Sequence, residues 1–386
     1  MQNAPAGAFC GLREPPRGMP QQWFQREKME NKTGCERLFE QWDRVTDMLT
    51  AAGSVCIFTH TSPDGDAIGS ATALAIALHR TGVDARVFLD GLPSYEIRYL
   101  LGDEAAGLVF TDGTKSLKIG KNTVCVTVDT ANRNRLDRCF LETLGDFPAV
   151  VKIDHHLPTE GGDYADFELT DPEWAATCEG LFPLISRLFD RKGLKIDYAI
   201  AIRLYSGILT DTGRFTYTNT TGNTLRTVAA LVDITGPEID WVAKVNYEYK
   251  AESTFRLIGS SFEKMEMHLG GRLVSLVLKD EYFGQARATL DDAGFIVSEL
   301  MKVIGTDMAL LVKPAEIVPG FEPRSGVKRD FKISLRCRPG FDVAAVGGKF
   351  GGGGHTCSAG ATISAESIEE AHAAALAECV KALEGV

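Results

Sequence analysis

The sequence lacks an apolar run approaching the roughly 20 residues that span a bilayer. It also lacks, at its N-terminus, the apolar core of a signal peptide. No two of its nine cysteines stand in C-x-x-C spacing, so neither a zinc ribbon nor a disulfide framework is indicated. Cys56 and Cys125 fall in apolar strand-like runs, where a free thiol acts as a small apolar group, and this usage fits a reducing cytoplasm. Positive charge is not in excess: 41 Lys and Arg against 52 Asp and Glu give a net −11. That argues against long duplex nucleic acid, whose binding needs many phosphate contacts, and leaves room for a short nucleotide held by metals and a local basic patch. No Gly-Lys-Ser/Thr follows the glycine-rich stretch near the C-terminus, so it is not a Walker loop. With 386 residues, 44% hydrophobic and 24% charged, the chain reads as a globular protein of two or three domains.

What is present is organised around Ser54 to Ser70. An apolar β-branched run, Val55 to Phe58, reads as a buried strand. The chain breaks at Pro63 and Gly65 and continues into an apolar helix, Ala67 to Arg80. The carboxyl ends of strands are where open α/β sheets bind ligands. His60, Asp64 and Asp66 fall there, and a divalent cation would neutralise two carboxylates held in a turn. Three further apolar elements end in similar residues: Val124–Val128 in Asp129, Ala149–Ile153 in Asp154-His155-His156, and a helix, Ile200–Leu209, in Thr210-Asp211. A single Asp after a strand is commonly a cap or turn residue. Four such endings in order, one of them Asp-His-His, are not explained by capping. Imidazole and carboxylate without thiolate suit manganese, with magnesium or cobalt as alternatives, more than structural zinc.

His60-x-x-x-Asp64-x-Asp66, Asp129, Asp154-His155-His156 and Asp211 resemble the four motifs of the DHH phosphoesterases. Val343 to His355 resembles the signature of the DHH-associated C-terminal domain, and the likeness is greatest to the nano-RNase and pAp-phosphatase branch. The resemblance implies two divalent ions. His60, Asp64 and Asp129 would bind the first; Asp66, Asp129, His155 and Asp211 would bind the second, with Asp129 bridging. A water activated between them would attack phosphorus. His156 would face the substrate as an acid or charge-stabilising donor, and Asp154 would orient a histidine. The helix expected over Glu173–Leu188 carries the family's small hydroxyl residue and Glu, here Thr177 and Glu179, with Cys178 as a departure.

The expected organisation is α/β: disorder over 1–34, with Met29 a candidate start, then a mostly parallel-sheet metal-binding domain over 35–235. A helical linker over 236–268 and a smaller α/β domain over 269–386 follow. Residues 198–249 read as wholly helical. In the second domain Gly351, Gly352, Gly353 and Gly354 read as a loop able to approach a phosphate, and His355 as a residue able to stack on a base. Seven basic residues against three acids between Lys313 and Arg338 make a local positive patch. In the family the strand carrying Arg336 points that arginine at the nucleotide.

The expected activity is hydrolysis of short oligoribonucleotides and of pAp. The alternative is a phosphodiesterase acting on a cyclic dinucleotide or linear pApA. A silent nucleotide-binding regulator is the non-enzyme reading; all matched ligands are present, which weighs against it. No membrane partner is expected, and a homodimer is compatible with the reading.

Overall fold

The computed structural model describes residues 32–157 and 161–385. The expectation of disorder over 1–34 lies outside them, except that a helix is already under way at Lys32. The chain divides into two compact units, one ending at Glu248 and the other beginning at Tyr249. Among the described residues no helix is long and apolar enough to cross a membrane.

The first unit begins with α1 (Lys32–Ala51), β1 (Ser54–Phe58), α2 (Gly65–Arg80), β2 (Asp84–Phe88) and β3 (Val109–Phe110). It continues through β4 (Thr123–Val128), α3 (Arg138–Thr143), β5 (Ala149–Asp154), β6 (Phe167–Thr170) and α4 (Thr177–Asp190). It closes with α5 (Tyr198–Asp211), α6 (Gly222–Thr235) and α7 (Asp240–Ala243). The strands form one parallel sheet in the order β3-β2-β1-β4-β5-β6. Every residue of β4 is buried, as an interior parallel strand covered on both faces requires. One face packs on Leu74, Ile76, Leu184, Leu204 and their neighbours from α2, α4 and α5. The other closes over Phe58, Phe88, Phe140 and Phe147.

α2 and α5 approach closely because each carries glycine at the contact. A Cβ on Gly69 would lie 2.6 Å from the Arg203 carbonyl oxygen, and one on Gly207 would lie 2.3 Å from Cys178 Sγ and 2.6 Å from Asp66 Oδ1. Gly65 likewise exists for packing: its Cβ would meet Thr210 Oγ1 at 2.5 Å. Gly207→Ala should therefore destabilise the first unit by about 1–3 kcal/mol through overpacking, read as a lower midpoint in denaturant unfolding. An unchanged midpoint would refute the close-packing account.

Residues 198–249 are not wholly helical. α5 stops at Asp211, Gly213 takes φ +52°, and a turn leads to Thr221, which caps α6. α4 starts at Thr177, four residues later than expected. The segment 236–268 is divided between the units rather than standing between them.

The second unit holds α8 (Glu252–Ser261), β7 (Glu266–His268), β8 (Leu273–Val277), α9 (Asp280–Ala286), α10 (Ile296–Leu300) and β9 (Met308–Pro314). β10 (Arg329–Cys337), α11 (Val343–Gly348), β11 (Gly353–His355), β12 (Ser358–Ala365) and α12 (Ile368–Glu384) follow. Its mixed sheet runs β11-β12-β10-β9-β8-β7. The glycine-rich stretch is thus half strand rather than loop. Gly352 and Gly354 press on β12, where a Cβ would meet Gly360 O at 2.1 Å and Ser358 O at 2.3 Å.

Candidate metal centre

In the first sheet the chain moves outward from β1 to β2 and β3, then restarts on the other side of β1 with β4. The strand order reverses there, and the carboxyl ends of β1 and β4 flank the crevice in which such folds bind ligands. His60 lies just beyond β1, Asp129 just beyond β4, and Asp154 ends β5 with His155 and His156 following. α5 brings in Asp211 as its last residue, and α2 presents Asp66 in its first turn.

Asp129 stands at the centre. It is 2% exposed and holds φ +55°, a left-handed conformation costly for a residue other than glycine. Its two oxygens serve different histidines: Oδ2 lies 3.4 Å from His60 Nε2, and Oδ1 lies 3.4 Å from His155 Nε2. His60 Nδ1 donates to the Thr61 carbonyl at 2.8 Å, which leaves the lone pair on Nε2, facing Asp129. Asp64 caps α2 by accepting from the Asp66 and Ala67 amides, and the same oxygen is 3.9 Å from His60 Nε2. Asp64 thus caps the helix while one of its oxygens stays within reach of an ion beside His60 and Asp129.

On the other side, His155 Nε2 lies 3.1 Å from Asp211 Oδ2. That nitrogen is buried yet makes no hydrogen bond among the described residues. It stands 3.4 Å from Asp129 Oδ1 and 3.1 Å from Asp211 Oδ2 without the alignment of a donor and acceptor, a spacing that ligands of one ion can adopt. His60, Asp64 and Asp129 have ligand atoms within 4.8 Å of one another, as do Asp66, His155 and Asp211. A divalent ion therefore fits both groups.

Asp66 is held by the start of α4: the Thr177 and Cys178 amides donate to its two oxygens at 2.6 and 2.9 Å. Thr177 Oγ1 also lies 3.3 Å from Asp129 Oδ1. Glu179 is turned away and accepts from the Ala175 amide and the Thr224 hydroxyl, which fixes the entry to α4. Cys178, though a departure in sequence, keeps the amide that matters here.

The charges are mutually frustrated. Burial and the neighbouring Asp129 push the Asp66 carboxyl up to about 7. Burial, with Asp66 and Asp64 nearby, drives Asp211 well above the ordinary carboxylate range despite its contact with His155. Burial opposes charge on His60, but Asp129 and Asp64 outweigh it and raise the imidazole to about 9. Burial opposes charge on Asp129 too, yet His155 and His60 hold it well below its usual value. Four carboxylates share too little positive charge, which a cation would supply.

His156 differs from His155. Its Nδ1 lies 2.7 Å from Asp154 Oδ1, an oxygen that also accepts the His155 amide. Arg135, which no sequence motif singles out, places its guanidinium 3.4 Å from His60 Nδ1, at the same rim. Its sequence signal is only that it follows Asp129 by one short turn.

In the second unit, register places Arg336 opposite Ser358 and Ser358 opposite His355, so the three form one row across β10, β12 and β11. Of the basic patch, Arg329 forms a two-pronged pair with Asp280, Lys313 donates to Leu290 O, and Arg338 to Thr306 O. Lys332 and Arg336 stand on the face of β10 opposite the buried Phe331, Ile333 and Leu335.

Residues 54–208 match the DHH family, N-terminal domain, and residues 271–382 match the DHHA1 domain. The chain carries the N-terminal domain of the DHH family and a DHHA1 domain. The bifunctional oligoribonuclease and PAP phosphatase NrnA of Thermus thermophilus is 29% identical to this DHH protein over 345 residues, 89% of this chain and 95% of its own. The protein of the same name from Bacillus subtilis is 26% identical over 312 residues, 80% of this chain and 89% of its own. An exopolyphosphatase-related protein from Bacteroides fragilis shares the fold, with a TM-score of 0.76 at 23% identity, covering 92% of this chain and 98% of that one.

Proposed function

We propose that this DHH protein is a metal-dependent phosphohydrolase that cleaves short oligoribonucleotides and removes a phosphate from pAp, as the names of its Thermus and Bacillus relatives describe for them. The observation that carries the reading is Asp129, strained and buried, with one oxygen turned to each histidine. In this assignment His60, Asp64 and Asp129 would hold one ion and Asp66, Asp129, His155 and Asp211 a second, with Asp129 common to both groups. Divalent ions bound there, manganese foremost, would supply a nucleophilic water at neutral pH and charge stabilisation for in-line displacement at phosphorus.

The chain's own residues do the rest. The amides of Thr177 and Cys178 fix Asp66, so its remaining lone pairs are presented in one direction. Asp154 accepts from His156 Nδ1, which orients the ring and stabilises the imidazolium whose Nε2 proton a leaving oxygen needs. The free thiols of Cys56, Cys125 and five further described cysteines support a reducing, cytoplasmic setting.

The test is turnover, with manganese, of two- to seven-residue RNA, pAp, pApA, cyclic-di-AMP and pyrophosphate. Short RNA and pAp should turn over and cyclic-di-AMP should not; cleavage of only the cyclic or linear dinucleotide messengers would overturn the substrate assignment. Arg336 is retained as a substrate residue because it shares its row with the glycine-rich strand. Arg336→Ala should leave metal content unchanged. It should also cost dinucleotide turnover a charge-assisted contact of about 1.5–3 kcal/mol, with much less effect on bis-p-nitrophenyl phosphate. Equal losses on both substrates would remove Arg336 from the substrate site.

A further inference from the structure

A second group of metal-type residues lies in the second unit and shares no residue with those assigned above. Glu266 and His268 occupy alternate positions of β7 and therefore share a face of the sheet. Glu266 pairs directly with Ser275 of β8. His372 reaches the same point from α12, beside Ala371 in that helix's buried stripe. His268 Nε2 and His372 Nε2 each lie 2.9 Å from one atom, Ser275 Oγ. Ser275 is fully buried. Glu266 Oε2 is 3.7 Å from His268 Nε2.

A serine hydroxyl has one hydrogen. It can donate to one imidazole and must accept from the other, so at least one Nε2 carries a lone pair at this point. Satisfying one serine needs neither two imidazoles nor a carboxylate. The three ligand atoms nevertheless lie within 4.8 Å of one another. Ligands about 2.1 Å from a tetrahedral ion stand roughly 3.4 Å apart, so small rotations of the exposed Glu266 and the half-buried histidines bring the set to that spacing.

We propose that Glu266, His268 and His372 bind one divalent transition-metal ion of the zinc type, with water completing a four-coordinate shell. Two nitrogens and one oxygen without thiolate favour zinc, nickel or cobalt over manganese or magnesium, unlike the carboxylate-rich centre of the first unit. The ion ties the first strand of the second sheet to the last helix of the chain. β7 is the edge strand of that sheet and only three residues long, so it has few other contacts to hold it. The site is structural: it closes the sheet edge and takes no part in phosphate chemistry.

The experiment compares the full chain with His268→Gln/His372→Gln, in which the amides still reach Ser275. Cobalt and zinc are titrated into both after metal stripping. The wild type should bind one more ion per chain than the double variant, with a visible cobalt spectrum of tetrahedral intensity that the variant lacks. Zinc should raise the thermal midpoint of the wild type by several degrees more than that of the variant. Glu266→Gln, at an exposed position that cannot disturb the core, should weaken the extra ion at least tenfold. Equal ion counts and equal zinc shifts in wild type and both variants would overturn the proposal and leave a hydrogen-bonded cluster around Ser275.

Discussion

Asp129→Asn should leave the fold intact while turnover falls below about one per cent of wild type, a barrier increase of at least roughly 2.7 kcal/mol. Manganese binding should fall with it. Asn is the informative replacement because it keeps the shape of Asp and tolerates the left-handed φ of +55°. Ala there adds strain of about 1–2 kcal/mol, and its loss of activity would mix misfolding with lost chemistry. Asn has one oxygen where Asp129 presents two, and its amide nitrogen cannot bind an ion. The oxygen facing His60 and the oxygen facing His155 cannot both be replaced. Both ions of the proposed pair should therefore weaken together. Loss of one ion with the other fully retained would mean that Asp129 belongs to a single site, and more than a few per cent residual turnover would dismiss the bridging assignment altogether.

The parts of the centre legible in the sequence were those written in long apolar elements. Val55–Phe58, Val124–Val128 and Ala149–Ile153 are β-branched runs with no helical alternative, and each places its terminal His or Asp at a known end of a strand. The start of α4 was not legible in the same way. Pro172 and Glu173 look like a helix beginning, but the amides that matter are those of Thr177 and Cys178. Their partner is the carboxylate of Asp66, far earlier in the chain. Gly65 reads in the sequence as a break in the chain, whereas what requires glycine there is Thr210 of α5. Both cases share a cause: the deciding contact is between helices, and a sequence pattern reports only the local one. β11 and β12 escaped because Gly353-Gly354-His355 and Ser358–Ala365 are built largely of small residues. They form strands by pairing with each other and with β10, not by propensity. The same holds for β7, whose Glu-Met-His has no apolar alternation to reveal it. The histidines of the catalytic centre announced themselves as a pair in sequence; His268 and His372 meet only through the packing of α12 on the sheet.

His156→Ala should separate chemistry from metal binding. Its Nδ1 lies 2.7 Å from Asp154 Oδ1, whereas His155 Nε2 has no hydrogen bond among the described residues and lies among carboxylates. In the proposed assignment the two adjacent histidines therefore have different duties: one coordinates and the other is oriented by an acid. A positioned proton donor contributes about a hundredfold to ten-thousandfold, so kcat should drop by at least roughly a hundredfold with the manganese content of the protein unchanged. Asp154→Asn should lower kcat less. An amide in its best orientation still accepts from Nδ1, but the charge that stabilises the imidazolium is gone. Substrates with a good leaving group such as p-nitrophenolate need little protonation, and on them the His156→Ala defect should shrink. A uniform defect across leaving groups would remove the proton-donor role. Loss of an ion along with turnover would instead place His156 among the ligands. Its Nδ1 lies 3.6 Å from Asp129 Oδ1, so that outcome would make Asp129 and both histidines one ligand group.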